Sequence, residues 1–174
     1  MKKHLKSLKI ISGGQTGVDR AALDAAITLN LKNGGWCPRN RRAEDGRIDI
    51  KYPLTETETS FYQERTRKNV EDSDGTLILC EGQLNRGTLL TVKHAQQQHK
   101  PLLVVNPSGC TVENVLNWLT DNKIKVINIA GPRESTAPGI YAKSFNFIIS
   151  VFGQKHEVTT KDKKAGENKN PSNV

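Results

Sequence analysis

The run Ile10-Ile11-Ser12-Gly13-Gly14-Gln15-Thr16-Gly17-Val18-Asp19 carries the most chemical information in this chain. A β-branched stretch stops at two glycines, and a helical apolar pattern opens directly after them. In α/β proteins that order brings unpaired backbone N–H groups and the positive end of a helix dipole to one point, where an anion can sit. Gly13 and Gly14 permit positive φ and close backbone approach, which a Cβ would obstruct. The chemistry implied is recognition of a phosphate-bearing small molecule by the amides of Gly14–Val18. The plain alternative makes Thr16 an ordinary N-cap, with Asp19 completing a capping box.

A second glycine loop, Leu79-Cys80-Glu81-Gly82-Gln83-Leu84-Asn85-Arg86-Gly87-Thr88, leads into another helical pattern. Gly87-Thr88 repeats the physics of the first loop, and Thr88 is equally open to being a simple cap. If both loops follow parallel strands at a topological switch point, two helix openings converge on one crevice, and the amides of Gly87–Leu89 join those of Gly14–Val18. The third candidate is Asn128-Ile129-Ala130-Gly131-Pro132-Arg133-Glu134-Ser135. There Arg133 can neutralise a phosphate and Glu134 can accept from a base or ribose hydroxyl, or the two form a surface turn. Arg65, Asn69 and Asp72, at i, i+4 and i+7, share one helix face. Such a stripe either lines a cleft or faces water.

Conventional catalytic signatures are sparse. His4, His94, His99 and His156 lack metal-ligand spacing, so no metal site is expected. Cys37 and Cys80 fall on or near strands and read as inert buried thiols. GQTGVD lacks the Gly-Lys-Ser/Thr of a P-loop.

The elements that must position these residues alternate. Strands are predicted at Leu8–Ser12, Gly35–Cys37, Thr76–Cys80, Leu102–Asn106 and Lys125–Ala130. Helices are predicted from Val18 (with Ala22, Ala25 and Leu29 on one face), at Phe61–Ser73, Thr88–Gln98, Thr111–Asn122 and Ile140–Phe152, the end of the last being equally strand-like. Strands alternating with helices at this pitch imply an α/β, Rossmann-like three-layer sandwich: a mostly parallel sheet of five or more strands with helices on both faces. The long segment Pro38–Glu58 resists assignment. It interleaves Arg39, Arg41, Arg42 and Arg47 with Glu44, Asp45 and Asp49 and reads from composition as a solvated loop.

At 174 residues, with 35% hydrophobic content, the chain reads as one domain over residues 1–153. A polar, Lys/Asn-rich tail, expected to be disordered, covers residues 154–174. No apolar run approaches the roughly 20 residues of a membrane span. The basic N-terminus lacks a following apolar region, so no signal peptide is expected. Three cysteines without a CxxC pair fit a reducing, cytoplasmic location. The net charge of +8 sits mostly at the ends: four lysines within residues 2–9 and a surplus of two over residues 153–174 leave only +2 for the body. That distribution weighs against a nucleic-acid-binding face.

Together, the strings ISGGQTGVDRAALDAA, GGWCPRNRRAEDGRI, YPLTET, RTRKNVEDSDGTLIL, GTLLT and IAGPRES resemble the "putative molybdenum carrier" family, over roughly Lys9–Phe152. More distantly the chain is similar to lysine-decarboxylase-like, or Lonely-guy, phosphoribohydrolases, which bind nucleotide-derived ligands and form dimers or tetramers. The resemblance implies molybdenum cofactor or another phosphorylated nucleotide-like molecule as ligand, and a homo-oligomer. It places Gly13, Gly14, Gln15, Thr16 and Gly17 in a first ligand loop, Gly87 and Thr88 in a second, and Gly131, Arg133, Glu134 and Ser135 in a third. It also raises Trp36, Pro38, Arg39, Arg42, Glu44, Asp45 and Gly46, together with Arg65, Asn69 and Asp72, as candidates. Arg86 stands where the family pattern commonly has glycine, so that either the backbone approach there is tighter or the Arg supplies a cation instead. Asn40 replaces another usual glycine and tolerates left-handed φ. The phosphoribohydrolases carry a glutamate after their second loop; here Leu89, Leu90 and Thr91 follow. The sequence therefore supports a binding or carrier protein. The alternative is a nucleotide or nucleoside-phosphate hydrolase using Asp72 or Glu134 as acid or base.

Overall fold

The structure, a computed structural model, describes residues 7–153. The basic first residues and the predicted 154–174 tail lie outside the described residues. Five strands form one parallel sheet: β1 (Lys9–Ile11), β2 (Lys32–Gly34), β7 (Gly75–Leu79), β8 (Leu102–Val105) and β9 (Val126–Ala130), in the order β2-β1-β9-β7-β8. Five helices flank it: α1 (Val18–Thr28), α2 (Tyr62–Glu71), α3 (Arg86–Gln97), α4 (Val112–Asp121) and α5 (Ile140–Phe152). α1, α4 and α5 pack together, and α2 packs on α3, so both faces of the sheet are covered. The Rossmann-like α/β expectation holds. Parallel strands need a helical crossover, and each crossover buries one sheet face.

The central strands are largely apolar for that reason, and every residue of β7 is buried. Leu77, Leu79, Ile127 and Ile129 pack with Val18 and Ala22 of α1 and with Phe147 and Ile148 of α5. Each such side chain contributes roughly 1.5–3 kcal/mol by leaving water.

Gly35–Cys37 is a correction. The strand beside β1 is the more polar Lys32–Gly34, whereas β3 (Trp36–Cys37) pairs with β6 (Thr55–Glu56) in a separate ladder. β2 is an edge strand and needs little apolar surface, so its composition conceals it.

The segment from Pro38 is ordered by one side chain. Arg41 is buried and donates to four backbone carbonyls: Ile48 (2.9 Å), Asp49 (2.8 Å), Tyr52 (2.8 Å) and Leu54 (3.2 Å). A short ladder, β4 (Arg42–Ala43) with β5 (Gly46–Arg47), lies outside it. Beneath it a second small core gathers Leu23, Cys37, Ala43, Ile48, Tyr52 and Leu54. Asn40 takes φ 63°, the left-handed value its amide side chain tolerates.

Candidate functional site

Because all five strands are parallel, the loops leaving β1, β7 and β9 emerge on one edge, where α/β proteins bind ligands. The strand order places β9 between β1 and β7, so the Gly131–Ser135 loop lies between the two glycine loops. Close backbone approach knits the three together. At Gly17 (φ 73°) a Cβ would stand 2.4 Å from the Pro132 carbonyl oxygen, and the Val18 amide donates to that oxygen (3.3 Å). At Gly131 a Cβ would stand 2.3 Å from the Leu79 carbonyl oxygen and 2.5 Å from Val18.

The first loop differs from an open anion cradle. The Gln15 amide donates to Asp19 Oδ2 (3.4 Å), and the Thr16 amide to the Gln15 side chain (3.0 Å). Arg65 lies over Gly13, where a Cβ would meet its Nη1 at 1.8 Å, and Ile48 and Leu54 cover Gly14. Thr16 is not the cap either: Gly17 occupies that position without a side-chain bond. Asp19 instead accepts from Arg65 Nη1 (3.0 Å), with side chains 4% and 14% exposed respectively. Burial pushes the Asp19 carboxyl above its ordinary range, against the opposing pull of the Arg65 charge. Gly13–Gly17 is therefore a packing joint between α1, α2 and the β9 loop. Its Gln15 and Thr16 amides are spent inside the protein.

The second loop is more open. Asn85, not Thr88, caps α3: its Oδ1 accepts from the Thr88 amide (2.9 Å) and hydroxyl (3.0 Å). Arg86 and Gly87 are the first helical residues, and both are exposed. They line a cavity of about 640 Å³ with Phe61, Tyr62 and Gln63 of the α2 entrance, Leu90, and Arg133. Gly13–Gly17 are not among its walls; Thr16 and Gly17 border a separate hollow instead. Two guanidinium groups approach the Tyr62 ring, Arg133 at 5.0 Å and Arg42 at 5.7 Å from its centroid. Arg39, Asn40, Arg42 and Arg47 line an adjoining hollow of 470 Å³. Arg39, Arg42 and Arg86 have no carboxylate partner among the described residues. Among the described residues no carboxylate lines the larger cavity.

The polar stripe of α2 is real, and packing uses it. Asn69 accepts from the Trp36 amide (2.8 Å) and donates to the Trp36 carbonyl (2.9 Å). Asp72 accepts from the Trp36 indole (2.7 Å) at the C-terminal end of α2, remote from the Phe61–Gln63 end that lines the cavity. Over ten helical residues that separation is roughly 15 Å. Glu134 accepts from the amides of Gly139 (2.5 Å) and Tyr141 (3.0 Å), which makes it an anionic partner for the start of α5. It also borders a third hollow, 320 Å³, with Thr16, Arg20, Asp24, Tyr52 and Tyr141. Both acid–base candidates are thus engaged elsewhere.

Glu44 joins the three segments around that edge. Its carboxylate accepts from the Thr16 hydroxyl, the Ser135 hydroxyl and the Ser135 amide (3.3 Å), and lies 3.9 Å from Arg133 Nη1. Burial alone would raise this carboxyl, but the bonds from Ser135 and Thr16 and the Arg133 charge outweigh it and hold it below its usual range. Its own amide donates to Gln15 Oε1 (2.9 Å). Nothing local in the sequence announces this role, because its partners lie 28 and 91 residues away.

A parallel α/β sandwich with its glycine-rich loops gathered at one sheet edge is the class that fold and site define. Residues 10–152 match the circularly permutated YpsA SLOG family, and the chain belongs to it. The crystal structure of a "putative molybdenum carrier protein" from Syntrophus aciditrophicus SB is 45% identical, with a TM-score of 0.78, covering 84% of this chain and 96% of that one. The E-1-hydroxy-2-methyl-but-2-enyl-4-diphosphate reductase from Plasmodium falciparum is 13% identical with a TM-score of 0.38, over 87% of this chain and 56% of that one, too distant to carry an argument. Among functionally curated proteins none matches.

Proposed function

We propose that this protein binds and carries a small phosphorylated heterocycle in the cavity between α2, α3 and the β9 loop. The observation that carries the reading is the cluster of arginines around Tyr62. Arg42 and Arg86 lack carboxylate partners, and Arg133 reaches the same ring. An aromatic wall suits a flat ring, and guanidinium groups beside the exposed start of α3 suit its phosphate. Molybdenum cofactor, a pterin bearing a phosphate, is the candidate ligand, which the relative's name also favours. Arg86, Gly87 and Arg133 would hold the phosphate, Phe61 and Tyr62 the ring, and Arg39 and Arg42 the rim. Thr88 would act through the Asn85 cap. Gly13, Gly14, Gln15, Gly17, Arg65, Asn69 and Gly131 would support the loops, while Thr16, Glu134 and Ser135 border the site. Carriage is favoured over hydrolysis because no carboxylate among the described residues faces the cavity and both Asp72 and Glu134 are committed to other partners.

The test is to purify the protein, denature it, and identify released molecules by mass spectrometry and absorbance. A pterin phosphate is the expected result. Without a copurified molecule, nucleotides and pterins are compared by thermal shift; at a hundredfold excess over Kd, binding stabilises by about 2.7 kcal/mol. Arg86→Ala should weaken binding of the phosphorylated compound far more than that of its dephosphorylated form. Equal loss for both, or release of free base or ribose phosphate with time, would overturn the reading.

The reading extends to a cytosolic homo-oligomer, a dimer or tetramer. Free Cys37, Cys80 and Cys110 support the compartment, and exposed Leu89 on α3 and Val104 on the edge strand β8 support association, which sedimentation tests. No described helix is long and apolar enough to cross a membrane.

A further inference from the structure

Four donors converge on the Glu44 carboxylate: the hydroxyls of Thr16 and Ser135, the Ser135 amide and, at ion-pair distance, Arg133. Hydroxyls, a main-chain amide and a guanidinium are the groups that proteins direct at phosphate oxygens, and a carboxylate is the closest substitute the chain itself can provide. Arg133 connects this cluster to the cavity lined by Arg86 and Gly87. Gln15, 4% exposed, holds the Glu44 amide through Oε1, while its buried Nε2 has no partner among the described residues. A donor is thus left unspent beside the cluster, and buried donors in native structures are normally satisfied.

We propose that Thr16, Ser135 and Arg133 form an anion subsite that Glu44 occupies as an internal mimic, and that a phosphate group of the ligand displaces it. This rests on the reading that the adjoining cavity takes a phosphorylated molecule, and it adds a second anion position to that site. Glu44 is mounted to move without unfolding its surroundings. It sits at the turn between β4 and β5, and Arg41 independently fastens the segment through the carbonyls of Ile48, Asp49, Tyr52 and Leu54. Losing the Glu44 contacts therefore leaves the main anchor intact. The consequence is a strap that ties the arginine-rich segment to the β9 loop in the free protein and exchanges that tie for ligand.

Inorganic pyrophosphate is the probe, titrated calorimetrically into the full chain and its variants. Glu44→Ala and the isosteric Glu44→Gln should both bind it at least about tenfold more tightly than the unmodified protein, since a competing charge-assisted acceptor is gone. Adding Ser135→Ala to Glu44→Gln should abolish the gain. Asp49→Asn is the charge control: the Asp49 carboxylate accepts from the Lys51 amide, not from these donors, and its loss should leave affinity near that of the unmodified protein. Equal tightening in Asp49→Asn would reduce the effect to net charge and overturn the proposal. So would unchanged, weaker or absent pyrophosphate binding by Glu44→Gln. The cavity reading fails separately, if Arg86→Ala leaves binding of the phosphorylated heterocycle unaltered while the Glu44 and Ser135 effects persist.

Discussion

Asp19 and Arg65 show how a polar pair that could serve a ligand can instead be spent on structure. Their 3.0 Å contact is nearly enclosed, so removing one partner leaves the other charged and poorly solvated. Asp19→Ala should cost about 3–5 kcal/mol, measured by denaturant unfolding, whereas joint replacement by Leu and Met should cost markedly less than either single change. Tyr141 offers a different measurement. Burial, together with its 2.8 Å hydrogen bond to Asp24, pushes the phenol up to about 12. A phenol raised in the folded state stabilises it fully below the unfolded value near pH 10, and that contribution is lost as pH rises towards 12. Phenolate absorbance should show Tyr141 titrating late, and Tyr141→Phe should remove the late component. An ordinary titration would mean the Asp24 contact is absent in solution.

At the level of elements, the start of α3 depends on one side chain. Asn85 satisfies the Thr88 amide and hydroxyl together and so leaves the first helical residues facing the cavity. Asn85→Ala should lower stability by about 1 kcal/mol, the usual value of such a cap. It should also weaken binding of the phosphorylated ligand, since a frayed first turn no longer aims its amides. Asn85→Asp, which can still accept, should retain most of the stability, and a thermal melt distinguishes the two. α2 is organised differently. Its Arg65–Asn69–Asp72 face grips the β1 loop and β3, so only its Phe61–Gln63 end is left for a ligand. The stripe was visible at i, i+4 and i+7 spacing. That it faces Trp36 rather than water depends on where β3 crosses, which no helical periodicity contains.

For the molecule as a whole, the site exists because three loops distant in sequence share one sheet edge. Gly131 is packed closely against both Leu79 and Val18. Gly131→Ala must push the β9 loop from β7 and α1, and overpacking of this kind costs about 1–3 kcal/mol. Because Arg133 rides on the same loop, ligand affinity should fall together with the melting temperature. Affinity unchanged in a destabilised variant would show that Arg133 does not depend on this packing.

The alternation of apolar runs and amphipathic stretches was enough to establish a parallel α/β sandwich, because burial on both sheet faces imposes its pattern residue by residue. The glycine loops and the arginine-rich segment were equally legible as places where something other than packing could happen. Which loop stays open was not. Gly13–Gly17 has the stronger local signature, yet Arg65, Ile48 and Leu54 arrive from distant segments and close it, while the weaker Asn85–Thr88 opening is left exposed. The insertion of β9 between β1 and β7, and the placement of Glu44 on Thr16 and Ser135, follow the same rule. Local sequence sets the conformations a segment can adopt, but the free energy of an amide or a carboxylate depends on which groups reach it across the fold.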